Sequence, residues 1–445
     1  MIRSSQLPSG PFLAARNPGQ GGRAPMTNLG PALYRRDRRL RLHITDERRD
    51  LLLFALWCLV TFVQFRADQL ILYPLALYYS WAILRDQSRI CALMARSWVV
   101  LLFPLWCLIS PLWAVEPVPA FKKAVYLALT IMICYQVAAT MRQRTILHSL
   151  FIAVGGIGLI NVVYAYGTGD LSTGIFEQKN TMGKNMVVLW VICLCIFIDR
   201  GSPWALRLSG LAMAAVAVLM AFHSQSATAV LLIFGTGALI LLSVLFLSGG
   251  ILRLSRITAL CFGLAIAFAS GAVLLSNMQS NPADKVLAHF GKSSTLTGRT
   301  DLWVYAEEQI AERPFLGVGE NGFWQYDRSP LVRKIFVEFY KKPGDSFNFH
   351  NSFYEIAVHQ GLIGMGIAMT ALAWALVQVT RGALMSGTTS QIFFLAIAAA
   401  VLSRSMTEAD FLKPFILFHM ILWIGALSSL RMRMQQGGLW PFRML

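Results

Sequence analysis

Apolar runs separated by short polar gaps make up most of the chain, and one long polar stretch interrupts them. The runs fall at roughly 51–65, 69–84, 97–115, 120–139, 145–166, 182–199, 204–222, 228–248, 257–277, 351–379, 390–404 and 411–430. Most approach the length needed to cross a bilayer, the first two being short. They are apolar all round rather than striped, which argues against a large soluble helical protein. The pattern predicts an all-α polytopic membrane protein with about twelve transmembrane helices. Its expected divisions are a polar basic segment over 1–50, nine spans over 51–277, a large loop over 278–350, three spans over 351–430 and a basic tail over 431–445.

Charge then sets orientation. The net charge of +17 invites a nucleic-acid reading, but the placement of the basic residues excludes it. Arg35, Arg36, Arg38, Arg39, Arg41, Arg48 and Arg49 crowd the N-terminal segment, which has the composition of a disordered tail lying against anionic lipid. No apolar segment precedes Leu51, so no cleaved signal peptide is expected. Arginines then recur in alternate loops: Arg85, Arg89 and Arg96; Arg142 and Arg144; Arg200 and Arg207; Arg253 and Arg256; Arg381. The tail adds Arg431, Arg433 and Arg443. This alternation predicts both termini in the cytoplasm, with Lys122 and Lys123 as exceptions. Trp81, Trp98, Trp113 and Trp204 fall near span ends, as interfacial anchors do. The seven cysteines show no Cys-x-x-Cys spacing and read as small packing residues. No fixed-period repeat and no matched pair of interrupted helices is visible.

The topology gathers the chemically suggestive stretches on the outer face. These are Gly167–Lys184, the turn His223–Ala227, the loop 278–350 and Arg404–Lys413. Within the long loop, Asp301–Glu312 has helical character, with Trp303, Ala306 and Ile310 on one side, and Pro314 ends it. Gly317, Gly319 and Gly322 allow a tight backbone path. Ser329-Pro330 forms a cap and first-turn pair. The following stretch to Tyr340 carries Val332, Phe336 and Phe339 on one stripe, which suits either a helix on the bilayer surface or one packed on its own loop.

Candidate chemistry is cationic. There is no His-Glu-x-x-His, no Asp-x-Asp pattern and no Cys/His set, so no metal or other cofactor is expected. Gly317-Val318-Gly319 lacks the context of a nucleotide loop. Arg299 follows a turn glycine at a helix start, where free N–H groups also favour anions. His350 stands where the tenth span begins, followed by Asn351 and, a turn later, Glu355. Lys179, Asn180 and Lys184 lie on one outer loop, Arg404 and Glu408 on another. Cations of this kind suit a diphosphate-bearing ligand, because guanidinium grips phosphate oxygens in pairs. Plainer readings stand beside these. Lys184 and Arg404 are the better candidates for reaching lipid headgroups. A lone histidine at a helix start is more often a cap or packing residue. His359 is expected to face away from His350.

Gly298-Arg299-x-x-x-Trp303, Pro314-x-x-Gly317-x-Gly319 and His350-Asn351-x-x-x-x-x-x-x-Gln360-Gly361-x-x-Gly364 resemble the O-antigen ligase/polymerase superfamily. Gly174-Ile175-Phe176-x-x-Lys179-Asn180 is more similar to its exopolysaccharide-polymerase branch. The resemblance implies a GT-C-type membrane glycosyltransferase of the bacterial inner membrane, with a long, partly helical periplasmic loop. It implies a glycan on undecaprenyl diphosphate as donor and metal-independent transfer with inversion. It makes Arg299 and His350 the catalytic residues, with His350 either taking the acceptor proton or donating to a phosphate oxygen. Lys179, Asn180, Lys184, Arg404, Asn351, Trp303 and Glu355 are the expected substrate-binding residues. Implied partners are the lipid-linked oligosaccharide, membrane lipids, and the chain-length-determining and export proteins of a polysaccharide pathway.

Two departures bear on the reaction. Ligases carry an arginine in a Ser-x-Ser-Arg setting where this chain has Ala227, and Lys179 is the candidate replacement. Gln360 stands where ligases often carry Glu. Both favour a polymerase over a ligase that attaches finished glycan to lipid or protein. A transporter or flippase is the reading from a different class; it needs polar residues near mid-span, which most spans lack, and the elaborate loop lies on one side only.

Overall fold

The computed structural model describes residues 46–63, 67–247 and 298–442. The N-terminal arginine cluster up to Arg41, the expected ninth span and Arg443 lie outside the described residues. Among the described residues the fold is all helix and loop, with no strand. Nine helices precede the gap: α1 Asp46–Phe62, α2 Asp68–Arg85, α3 Gln87–Ser97, α4 Val99–Ile109, α5 Pro117–Thr140, α6 Gln143–Thr168, α7 Lys179–Ile198, α8 Trp204–His223 and α9 Ala227–Leu247. Five follow it: α10 Arg299–Glu312, α11 Pro330–Glu338, α12 Ser352–Ser386, α13 Thr389–Ser405 and α14 Leu417–Gln436.

Six of these are long and apolar enough to cross a membrane: α5, α6, α7, α8, α9 and α12. The pair Gln87–Ser97 and Val99–Leu112 is bent by 94° and would make a seventh if taken as one span. The protein is a multi-pass membrane protein. Helices α1, α2, α13 and α14 occupy expected spans without meeting the same combination of length and apolarity. Length excludes α1 and α13, at 17 residues each, and Arg431 and Arg433 lower the apolarity of α14.

Several expectations need correction. The basic stretch from Arg89 to Arg96 is helix α3, not a loop. Its Ile90, Leu93 and Ser97 are buried while Arg96 is exposed and Arg89 half-buried over the Phe442 ring, a striped face that keeps the charges off the core. The tail expected from residue 431 begins inside α14, where Arg431 is buried and donates Nη2 to the Met141 carbonyl at 2.7 Å. Helix α12 is a broken helix: Gly361 has φ 67° and ψ 178°, a conformation essentially restricted to glycine.

The packing core joins α5, α12, α13 and α14 to α7 and α9, through Phe393, Phe394, Ile421 and Ile192 among others. The five cysteines at 58, 107, 134, 193 and 195 are buried in it, as small packing residues. Cys91 is exposed, and Cys261 lies outside the described residues. A second, smaller core belongs to the long loop. Leu302 and Ala306 of α10 meet Val332, Ile335 and Phe336 of α11, together with Val318, Phe323 and Phe349. The Val332–Phe336 stripe is therefore covered by the loop itself and not laid on a bilayer. The N-terminus of α11 is capped as its sequence predicts, with Val332 N–H donating to Ser329 Oγ.

The break in α12 explains why two glycine motifs travel together. Interrupting a helix strands carbonyls before the break and N–H groups after it. Here Val358 and His359 carbonyls accept from Val318 and Gly319 N–H at 3.1 and 2.8 Å, and Leu362 N–H donates to the Pro314 carbonyl at 2.7 Å. Gly317 and Gly361 permit that approach. A Cβ at Gly361 would lie 2.1 Å from the Phe315 carbonyl oxygen, and one at Gly317 2.5 Å from that of Val358. Trp106 and Trp113 indoles pin the same seam by donating to the Gln360 and Leu316 carbonyls. Trp113 is thus a clamp on this seam. Lys123, an exception to the charge rule, bonds Asn321 at 2.8 Å and pairs with Glu320.

Candidate functional site

The segment before α12 is shaped to present His350. Its backbone is left-handed, at φ 49°, which costs a non-glycine residue about 1 kcal/mol or more. Asn348 Oδ1 offsets this by accepting the His350 N–H at 2.9 Å. Asn351 then caps α12, its Oδ1 accepting from Phe353 and Tyr354 N–H while Nδ2 donates to the Met406 carbonyl. Trp303 anchors the other side: its indole donates to the Phe349 carbonyl at 2.8 Å and its ring stacks on Tyr354. Glu355 accepts the Phe349 N–H at 3.0 Å and the Trp324 indole at 3.2 Å. Asn351, Trp303 and Glu355 thus spend their polar atoms on holding the His350 loop.

The loop between α13 and α14 supplies the centre. Glu408 accepts from Arg299 Nη2 at 3.3 Å, lies 3.3 Å from His350 Nδ1, and accepts from Asn180 Nδ2 at 3.3 Å. Arg299 also donates Nη1 to the Thr407 carbonyl at 2.7 Å. One carboxylate therefore gathers an arginine from α10, a histidine from the loop before α12 and an asparagine from α7. Burial alone would raise the Glu408 carboxyl. The His350 hydrogen bond and the charges of Arg404, His350 and Arg299 outweigh it and hold Glu408 below the usual carboxylate range.

Two residues on, Asp410 builds a second knot. Its Oδ2 accepts from Arg404 Nε at 3.1 Å and lies 3.7 Å from Lys184 Nζ, and His419 Nε2 is 3.6 Å from Oδ1. Burial again opposes ionisation, and the nearby Arg404, His419 and Lys184 hold Asp410 well below its ordinary value. Lys184 and Arg404 do not reach for headgroups: both are largely buried and paired with this carboxylate. Asn180 and Lys184 lie one turn apart on α7, so a single helix face meets both carboxylates.

Lys179 stands exposed as the first residue of α7, just before Asn180. It shares the face of Gly183 by helical spacing. A Cβ at Gly183 would meet Ser226 and Ala229, so α7 packs tightly on the turn that carries Ala227. Lys179 and Lys184 both flank this contact along α7. Gly174 in the preceding loop has φ 57° and leaves room for Asn161, whose Oδ1 accepts the Ile175 N–H.

His359 faces elsewhere, beside Glu355 at 3.8 Å and on the wall of a cavity of about 270 Å³. The expected catalytic and substrate-binding residues thus divide: Arg299, His350, Asn180, Lys184 and Arg404 converge on two carboxylates, Lys179 lies at their edge, and Trp303, Asn351 and Glu355 support them. Sequence reasoning passed over the carboxylates as site members. A signal was there, since Glu408 and Asp410 are the only acidic residues after Glu355. Among the described residues, no group of three or more His, Cys, Asp and Glu is arranged to hold a metal ion.

Comparison with known proteins bears on the same segment. The family described as O-Antigen ligase matches residues 211–369, which include Arg299 and His350. Exopolysaccharide production protein ExoQ of Rhizobium meliloti (strain 1021) is 26% identical over 381 residues, covering 82% of this chain and 86% of that protein. One match runs through the segment that carries the arginine and the histidine and another along most of both chains, so the chain is similar to the O-antigen ligase family and to an exopolysaccharide production protein.

Proposed function

We propose that the protein is a GT-C-type glycosyltransferase that joins oligosaccharide repeats carried on undecaprenyl diphosphate into an exopolysaccharide. It works on the periplasmic side of the inner membrane, with both termini in the cytoplasm. The observation that carries this reading is the Arg299–Glu408–His350 constellation. It puts a phosphate-type cation and a carboxylate-oriented histidine in one site.

In the proposed reaction an acceptor hydroxyl oxygen bonds to the anomeric carbon as the bond from that carbon to the phosphate oxygen breaks, with inversion. The electron pair leaves with the lipid diphosphate. Arg299 stabilises the charge that builds there, and Lys179 extends the cationic surface in place of the arginine absent at Ala227. The acceptor proton passes to His350. The position of Glu408 supports the base role over the phosphate-ligand role. A carboxylate at Nδ1 favours the tautomer protonated there, leaving the Nε2 lone pair for the acceptor, and it stabilises the imidazolium that forms.

The family description favours a second reading, a ligase that transfers finished glycan to a lipid or protein acceptor. The likeness to an exopolysaccharide production protein along 82% of the chain supports polymerisation instead. Deleting the gene and analysing the lipid-linked intermediates separates the two. Polymerisation predicts accumulation of single repeats on the carrier. Long polymer still attached to the carrier would mean a ligase, and no change in the intermediates would defeat both.

A further inference from the structure

Beside the Arg299–Glu408–His350 cluster lies the cavity of about 270 Å³, which that chemistry leaves unused. Its walls come from α4, α5, the first half of α12, and the loops around 320, 346 and 412. They are of two kinds. Trp324, Phe347, Phe103 and Phe411 offer aromatic surface. Opposite in character are Glu320, Asn321, Lys123, His359 and Gln360, tied to one another by Lys123–Asn321 at 2.8 Å and Gln360–Glu320 at 3.3 Å.

Two atoms of that polar wall stand out. His359 is 5% exposed and Gln360 1%, yet His359 Nε2 and Gln360 Oε1 have no hydrogen-bond partner among the described residues. Buried polar atoms are normally satisfied, so consecutive unpartnered ones beside a cavity are the groups that a turn of each side chain would present to a ligand's hydroxyls. Their backbone is held: the His359 carbonyl accepts the Gly319 N–H and the Gln360 carbonyl accepts the Trp106 indole, just before the break at Gly361. An aromatic surface with a short row of donors and acceptors matches a pyranose ring, which has an apolar C–H face and a rim of hydroxyls. The volume lies near the lower end of small-molecule sites, about 300 Å³, and so suits a single ring rather than a chain.

The cavity also adjoins the reacting histidine. Phe347 lines it and packs edge-to-face on the His350 ring, with centroids 6.1 Å apart. His350 therefore stands between Glu408, which also holds Arg299, and a wall of the cavity. An inverting displacement needs its leaving group and its incoming hydroxyl on opposite faces of the anomeric carbon. We propose that this cavity is the acceptor subsite, holding the terminal sugar ring of the incoming saccharide against the His350 loop, with His359 and Gln360 bonding its hydroxyls. This inference rests on the reading of the protein as a glycan transferase.

The test uses full-length protein in lipid nanodiscs and saturation-transfer NMR. The probe is the lipid-free oligosaccharide released by mild acid from the lipid-linked repeats of the producing strain. Wild type should transfer saturation to the sugar protons. His359→Phe and Gln360→Met remove the unpartnered atoms with little change of shape, and each should bind about tenfold more weakly. Arg299→Ala, on the diphosphate side, should bind the free saccharide as wild type does. Matched elution and thermal unfolding show that each variant is folded, and either cavity variant suffices. No transfer to wild type would mean that the cavity holds water only and would overturn the proposal. So would undiminished binding in the folded cavity variants, or loss in Arg299→Ala alone. Binding that follows the cavity variants in a protein that makes no polymer would leave the subsite standing and defeat the functional reading. Polymer formation without saccharide binding would do the reverse.

Discussion

Glu408 receives Arg299, His350 and Asn180, and each of them comes from a different part of the chain. Its carboxylate charge should matter as much as its shape. Glu408→Gln keeps the size but supplies an amide where His350 Nδ1 needs an acceptor. The imidazole then loses both its tautomer bias and the partner for its cationic form. We expect kcat to fall about 100-fold in a repeat-elongation assay, in the range that a positioned general base contributes. Asp410 should behave differently, because its partners Arg404 and Lys184 are buried. Asp410→Asn leaves those cations uncompensated and should destabilise the protein by about 3–5 kcal/mol, read as a lower thermal unfolding temperature in detergent. The pH dependence follows from the same pair. Both carboxyls are held below their ordinary values, so their contribution is complete above the ordinary carboxylate pKa of about 4 and is lost as pH falls through the depressed values. The wild type should therefore lose thermal stability below about pH 4. Asp410→Asn should lack the Asp410 share of that loss.

At the scale of elements, the seam between the Pro314–Gly319 loop and the break in α12 fixes where His350 and His359 stand. Gly361→Ala combines a glycine-only backbone with a Cβ 2.1 Å from the Phe315 carbonyl, so the seam cannot close as it does now. We expect about 3 kcal/mol of destabilisation and loss of polymer, whereas Gly366→Ala, where a Cβ meets nothing within 4 Å, should be neutral. Both motifs were legible in the sequence as glycine patterns, and so was the Ser329 cap. Their mutual contact was not, because hydrogen bonds from residue 318 to 358 leave no periodic trace. Helix α3 was missed because its arginines read as a loop, although Ile90, Leu93 and Ser97 keep a helical spacing. The stripe of α11 could be read two ways from sequence, and only its packing on Leu302 and Phe323 distinguishes them.

Across the whole molecule, the hydrophobic pattern located most helices to within a few residues, because crossing a bilayer imposes length and apolarity directly on sequence. That Lys184, Arg299, His350 and Arg404 share one face was anticipated from loop sidedness, although Lys184 and Arg404 were expected at lipid headgroups rather than paired with a buried carboxylate. The carboxylates that organise them were not, since an acidic residue in a short loop looks like any solvated one until its partners are known. The proposed function requires that Arg299, Glu408 and His350 act together in sugar transfer from a lipid diphosphate. Its most direct test is elongation of purified lipid-linked repeats by the protein in nanodiscs, resolved as a ladder of product lengths. Wild type should build the ladder, and folded His350→Ala and Arg299→Ala should leave the single repeat intact. A ladder of undiminished length and rate from either folded variant would contradict the account.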